Sequence, residues 1–258
     1  MPRAEPRDRM DPFAEGAGPF VAVGPHARAV EAIAAALASG ERLICLDGAP
    51  GAGKSRVLEA AARAWREPGR RVAMVDAGTG LNLADGLARA LGGGPGARLP
   101  DGSGWARLAE LARLARVQRQ RLLLVVDGAE RVATPGDLDR LGCIDARGGS
   151  PVALLLAARD GDGPGFAALD DRATALRLLP LTRGEAAAYL AAKLSSGGRE
   201  AGAIAPGAVS RLHAAARGRP RALDRLARRA LAAAGGGVVA AADVDAMLAA
   251  DEAAGRAA

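Results

Sequence analysis

Two cysteines and two histidines in 258 residues leave little material for a metal centre or a disulfide framework. Cys45 and Cys143 form no CxxC pair and join no Cys/His cluster, so neither a zinc site nor a set of disulfide staples is expected, which fits a reducing cytoplasm. Cys45 lies in the apolar run "RLICLD" and reads as a small buried hydrophobe. Aromatics make up only 2% of the chain, so the core must be built from Leu, Val and Ala, with Trp65, Trp105, Phe13, Phe20, Phe166 and Tyr189 as rare large pieces. No apolar run is long enough to span a bilayer; "VALLLAA" at 152–158 is typical. The opening "MPRAEPRDRMDPFAEG" lacks the apolar stretch of a signal peptide and is read as a polar lead-in. Lysine is nearly missing as well: of 35 basic residues only Lys54 and Lys193 are lysines.

The formal charge of +6 favours polyanionic partners in principle. Acidic residues are interleaved almost throughout, and the Ala, Arg and Gly excess reads as compositional drift. Arginine number alone is therefore not taken as a sign of nucleic-acid binding. The run Arg113, Arg116, Arg119 and Arg121 reads first as the wet face of an amphipathic helix, with DNA contact as the alternative. His26 and His213 stand alone and read as packing or surface residues.

Hydrophobic patterning gives the organisation. "HARAVEAIAAALASG" places Val30, Ile33 and Leu37 on one helical face and stops at Gly40. Short buried strands are expected at 42–47, 70–78, 121–128, 151–160 and 173–181. Helices are expected at 55–67 (Leu58, Ala61 and Trp65 inward) and 105–120 (Trp105, Leu108, Leu111 and Leu114 in a stripe), with a loop at 92–104. Strands without alternation, separated by amphipathic helices, imply a parallel sheet covered on both faces. After Leu181 the strand signals cease, and Thr182 with Glu185 has capping-box spacing at the start of a run of helices. The expected organisation is a flexible lead-in at 1–18, an α/β core at 19–180 and a helical segment at 181–258.

"GAPGAGKS", residues 48–55, fits G-x-x-x-x-G-K-[ST] between an expected strand and an expected helix. Gly48, Ala49, Pro50, Gly51, Ala52 and Gly53 would turn their amides inward as an anion nest, at a helix N-terminus that adds partial positive charge. Lys54 places a compact ammonium on the terminal phosphates, where the broad planar fork of arginine fits poorly. Ser55 supplies a hydroxyl for Mg²⁺, and Arg56 follows it in the same turn. The second metal carboxylate is expected at Asp127, directly after the apolar run of "RLLLVVDGAE". Many phosphate-loop ATPases place a water-polarising Glu next; here that residue is Gly128. Glu130 and Asp76 are the two carboxylates that could serve instead, and the residues leave that choice open. Such assistance is worth about 10²–10⁴ in rate, so tight ATP binding with slow hydrolysis is expected.

These motifs resemble the AAA+ ATPases of the general secretion pathway ATPase A type, a branch close to transposition helper and origin-recognition ATPases. The resemblance covers roughly 11–250 and includes the Pro12-Phe13 pair, the phosphate loop, the Asp127 strand, "LPLTRGEAAAYLAAKL", "GRPRALDRLARRAL" and "AADVDAML". It implies a P-loop NTPase three-layer α/β sandwich with a five-stranded parallel sheet, followed by a small all-helical lid whose angle follows the nucleotide state. It places Val23 and Gly24 near the adenine, Arg221 as a lid arginine sensing the γ-phosphate, and Arg172 as the best-placed trans-acting arginine finger. Strand 152–157 offers Ala157, Ala158 and Arg159 where the family has a polar sensor residue. ATP and Mg²⁺ are the implied cofactors, and a homo-oligomer is expected when ATP is bound. A protein partner in secretion or envelope assembly is the first expectation. A DNA-associated helper and a nucleotide-gated switch with little hydrolysis are the alternatives.

Overall fold

The computed structural model describes residues 11–14, 18–80, 82–92, 103–132, 134–144, 150–159 and 172–257. Most of the expected lead-in and of the loop expected at 92–104 lies outside them, as does Phe166. The described residues form two compact units. One takes in residues of Ala27–Pro50 and Lys54–Leu179; the other takes in those up to His26, the three residues Gly51–Gly53, and those from Pro180 onward.

The first unit is a five-stranded, all-parallel sheet flanked by helices. Its elements are α1 (Gly24–Ser39, whose first turn belongs to the other unit), β1 (Leu43–Asp47), α2 (Lys54–Trp65), β2 (Arg70–Asp76), α3 (Leu83–Gly92), α4 (Gly104–Val117), β3 (Arg121–Asp127), α5 (Pro135–Gly142), β4 (Val152–Ala158) and β5 (Thr174–Arg177). The strand order is β2-β3-β4-β1-β5. Strands β3 and β4 are buried along nearly their whole length because helices cover both faces. Leu122, Leu124, Val126, Leu154 and Leu156 pack with Leu87, Leu108, Leu111 and Leu138 of α3, α4 and α5. Their neighbours Leu123, Val125 and Leu155 point to the other face by strand alternation and are equally inaccessible. Each such leucine contributes roughly 1.5–3 kcal/mol on burial.

Sequence expectation and structure part in three places. β5 stops at Arg177 rather than 181 and alternates in burial, as an edge strand bonded on one side does; Pro180 has no N–H to extend a ladder. In α4 the buried stripe is Leu108, Leu111, Ala112 and Ala115, with Trp105 and Leu114 only half-buried. Small alanines let the helix approach the sheet more closely than a Trp–Leu face would. Helix α5 was not expected, since eight residues show too little periodicity; Pro135 opens it in the first helical turn.

The second unit is helical. α6 (Arg183–Ser196), α7 (Pro206–Ala216), α8 (Pro220–Ala233) and α9 (Ala241–Ala257) surround a core of Leu190, Leu194, Leu212, Leu223 and Leu226. The expected capping box opens α6: Thr182 accepts from the Glu185 amide, and Glu185 accepts from the Thr182 amide at 2.8 Å. Phe13 is buried in this core, and Val21 and Val23 pack against it.

Candidate functional site

The carboxyl ends of parallel strands form the edge at which α/β sheets bind ligands. Three carboxylates stand there, on Asp47, Asp76 and Asp127, with Asp76 and Asp127 directly paired in register. β1 then turns through residues 48–53 into α2, which begins at Lys54. Gly51 and Gly53 have φ of +79° and +98°, a left-handed conformation that only glycine enters without strain. A Cβ on Gly53 would lie 2.7 Å from His26 Nε2, so the loop is closed to a side chain there. Lys54 Nζ donates to the carbonyls of Gly48 and, at 3.3 Å, Ala49. Its ammonium is thus folded back toward the residues that follow β1. Ser55 is exposed at the first turn of α2, and Arg56 pairs with Glu59 at 2.9 Å. In the sheet unit the helix N-terminus, the Lys54 ammonium, the Ser55 hydroxyl and the Asp127 carboxylate are groups whose chemistry suits phosphate and Mg²⁺.

Asp127 is followed by Gly128, whose φ is +68°. A Cβ there would run into the Arg131 guanidinium. The chain therefore leaves β3 by a left-handed residue into a short 3₁₀ turn, Ala129–Arg131. That turn places Glu130 with only 12% of its side chain exposed and its Oε1 3.2 Å from Arg159 Nε. The Arg159 that ends β4 and the Glu130 that follows β3 are thus one ion pair. Glu130 Oε2 is buried and has no hydrogen-bond partner among the described residues. Asp76 is committed elsewhere: its Oδ1 accepts from Gly78 N at 2.8 Å and from Arg131 at 2.6 Å. Arg172 is half-exposed and paired with Asp139 of α5, whose carboxylate holds the guanidinium in its charged form.

In the helical unit the loop tip has two partners. Gly51 O accepts from the backbone N–H of Arg221 at 3.2 Å, at the first turn of α8. Ala52 O lies 2.7 Å from His26 Nε2; a carbonyl can only accept, so this nitrogen carries the proton. Val23 is half-buried, and Gly24 (φ +44°) lies against Glu185. His26, read from the sequence as a packing or surface residue, is buried and in addition holds the loop through Ala52 O. It extends the buried face of α1 at helical spacing, 26–29–33–37, and that spacing was the available signal.

Burial is the largest influence on His26 and lowers its pKa from the ordinary 6.5, against the opposing pull of the Ala52 and Val23 carbonyls and of Glu185. The folded state therefore takes the proton less readily than the unfolded chain. The resulting stabilisation is complete above 6.5 and is lost as the pH falls through the lowered folded value. Thermal unfolding between pH 7.5 and 5 should show a loss of stability beginning near 6.5, and His26→Gln should flatten it. An unchanged slope in the variant would remove His26 as the cause.

Among the described residues no helix is long and apolar enough to cross a membrane, and no cluster of His, Cys, Asp and Glu suits a metal ion by itself. The family model described as AAA domain matches residues 27–161, more than half of the chain. No curated protein matches the sequence. Among solved structures, a chain of Drosophila ORC bound to DNA aligns with a TM-score of 0.70 and 16% identity, over 96% of this chain and 70% of its own. Cdc6p from Pyrobaculum aerophilum aligns with a TM-score of 0.65 and 18% identity, over 88% of this chain and 67% of its own. The Aeropyrum pernix ORC2 protein, solved as ADPNP and ADP complexes, aligns at 0.64 and 16%, over 91% and 70%. At such identities the likeness is one of fold, and it covers both the sheet and the helices that follow.

Proposed function

Because the chain belongs to the AAA family of P-loop ATPases, we propose that it binds ATP with Mg²⁺, hydrolyses it slowly, and uses nucleotide state to move its helical segment and to assemble with copies of itself. The observation that carries this reading is Lys54 at the start of α2 after left-handed glycines, its ammonium folded back toward the residues that follow β1. The residues of 48–55 hold the phosphates, with Val23 and Gly24 beside the base. Ser55 and Asp127 hold the Mg²⁺, which would neutralise charge developing between the β- and γ-phosphates. Arg221 reads the γ-phosphate from the first turn of α8. Arg172, released from Asp139, serves as the finger for a neighbouring copy.

Glu130 takes the place of the missing carboxylate. Its Oε2 is the acceptor for the proton of the attacking water, while Arg159 fixes Oε1. The same ion pair holds the carboxylate in one orientation. Gly128→Glu would not restore a fast enzyme, because the left-handed backbone at 128 disfavours any side chain. The test is steady-state and single-turnover hydrolysis by the full chain. Turnover is expected below about 10 s⁻¹, and Glu130→Gln should lower it by roughly 10²-fold with ATP affinity retained. Fast turnover, or an unaltered rate in the variant, overturns the assignment.

The segments Pro12-Phe13, "LPLTRGE" and "GRPRAL" favour service to a secretion or envelope-assembly partner. A DNA-associated helper is the second reading, favoured by the likeness in fold to an origin-recognition protein solved on DNA. Stimulation of hydrolysis by duplex DNA would select the second; indifference to DNA would favour the first.

A further inference from the structure

The arginine run of α4 reappears in three dimensions as the wall of a cavity. It measures about 420 Å³ and is lined by residues that open strands or close helices: Arg42 before β1, Trp65 at the end of α2, Arg116 and Arg119 at the end of α4, Arg121 at the start of β3, and Ser150 before β4. This is the amino edge of the sheet. It stands a full strand, roughly 20 Å, from the carboxyl edge that carries Asp47 and Asp127.

Four arginines line this cavity, and Glu41 is the one acidic lining residue among the described residues. The carboxyl end of α4 adds about half a negative charge, which a single arginine would answer. Two of the four side chains are held in place by described contacts. Arg42 Nε donates to Val152 O at 3.4 Å, which holds its fork over the start of β4. The Arg121 guanidinium lies 5.4 Å from the centre of the Trp65 ring. The backbone at the rim is bonded throughout: Arg121 N to Gly69 O at 2.9 Å, Leu122 N to Pro151 O at 2.7 Å, and Leu154 N to Arg42 O at 2.7 Å. Arg119 has φ of +54°, one of two non-glycine residues in the left-handed region among the described residues. Glycine or asparagine would occupy that position with less strain. The Arg119 amide bonds to Arg116 O at 3.2 Å and the Gln120 amide to Ala115 O at 2.8 Å, so this left-handed residue closes the carboxyl end of α4.

We propose that this cavity binds a phosphorylated ligand of about nucleotide size, separately from the phosphate loop. Planar guanidinium forks match the paired oxygens of a phosphate, and several of them around a concave site favour a multiply charged group over a single carboxylate. The volume exceeds that of one phosphate and lies within the usual range of small-ligand sites. The phosphate can belong to a free compound or to the end of a nucleic-acid strand.

The test uses the full chain and two probes, inorganic pyrophosphate and a 5′-phosphorylated single-stranded oligonucleotide, titrated by calorimetry with and without saturating ADP·Mg²⁺. Binding that survives ADP is expected. It should weaken about tenfold in Arg119→Gly and again in Arg42→Gln, while ADP affinity stays at the parent value. Arg119→Gly relieves the left-handed strain and should melt no lower than the parent, which separates loss of the site from loss of the fold. Survival of pyrophosphate binding assigns the site to free phosphates. Binding of the oligonucleotide alone, with a steep salt dependence, assigns it to a strand end. Complete displacement by ADP, or binding untouched by either substitution, overturns the proposal. A chain that binds no ADP would sink the nucleotide reading and leave this test intact, since both substitutions lie at the other edge of the sheet.

Discussion

Lys54→Ala should weaken ATP·Mg²⁺ binding by about 10- to 100-fold, the worth of one to two charge-assisted hydrogen bonds. The ammonium is half-buried and already folded back by the carbonyls of Gly48 and Ala49. On the proposed reading, removing it deletes the positive charge that would meet the terminal phosphates and leaves the amides of 51–53 in place. Lys54→Arg should be nearly as damaging, because it keeps the charge and loses the compact shape. Calorimetric titration measures the affinity directly. Thermal unfolding offers an independent reading, since ligand at 100 times its dissociation constant adds about 2.7 kcal/mol to the folded state. At the same nucleotide concentration that shift should fall to about 0.4–1.4 kcal/mol in Lys54→Ala, with the two proteins melting together when no nucleotide is added. Equal affinity in parent and variant would remove the phosphate loop from the account.

Lys193→Ala should be the most destabilising single change in the helical unit. The Lys193 side chain is 7% exposed, with Nζ 3.3 Å from Asp224 Oδ2. The same nitrogen donates to Pro12 O at 2.8 Å, and Tyr189 Oη donates to the Asp224 carboxylate at 3.0 Å. Burial pushes the Asp224 carboxyl up, against the opposing pull of Lys193 and Tyr189. Without Lys193 the carboxylate stays buried beside a single neutral donor, a change that costs about 3–5 kcal/mol. A chain of this size should then melt roughly 10 °C lower. A carboxyl whose folded pKa lies above its unfolded one stabilises most below the unfolded value, and that gain is lost as the pH rises through the folded value. The deficit of Lys193→Ala should therefore shrink in acid. Replacing both partners, as in Lys193→Met with Asp224→Leu, should recover most of the loss. A single variant that melts with the parent would show that the pair contributes nothing.

The two lysines also mark how far the sequence could be read. Lys54 was interpretable because its neighbours in the chain are its neighbours in space: the glycines, the strand and the helix all lie within about fifteen residues. Lys193 had no motif around it, since its partners Pro12 and Asp224 come from remote parts of the chain. The buried strands β1, β3 and β4 were legible as unbroken apolar runs, whereas β5 was overextended because an edge strand and the coil beyond it look alike in sequence. Gly128 stood out as an absent glutamate, but its left-handed φ and the Glu130–Arg159 pair depend on how β3 and β4 end side by side. His26 was hidden by its type: a histidine completing an apolar face is invisible until the loop it touches is placed.

The bond between the Arg221 amide and Gly51 O has a mechanical corollary. A main-chain link is indifferent to which side chain occupies the position. Substitution at 221 would remove the guanidinium, and with it the proposed reading of the γ-phosphate, while the link between loop tip and helix stayed whole. The proposed sensing would rest on the side chain, whereas the observed link rests on the main chain, so the two reside in separable atoms of one residue.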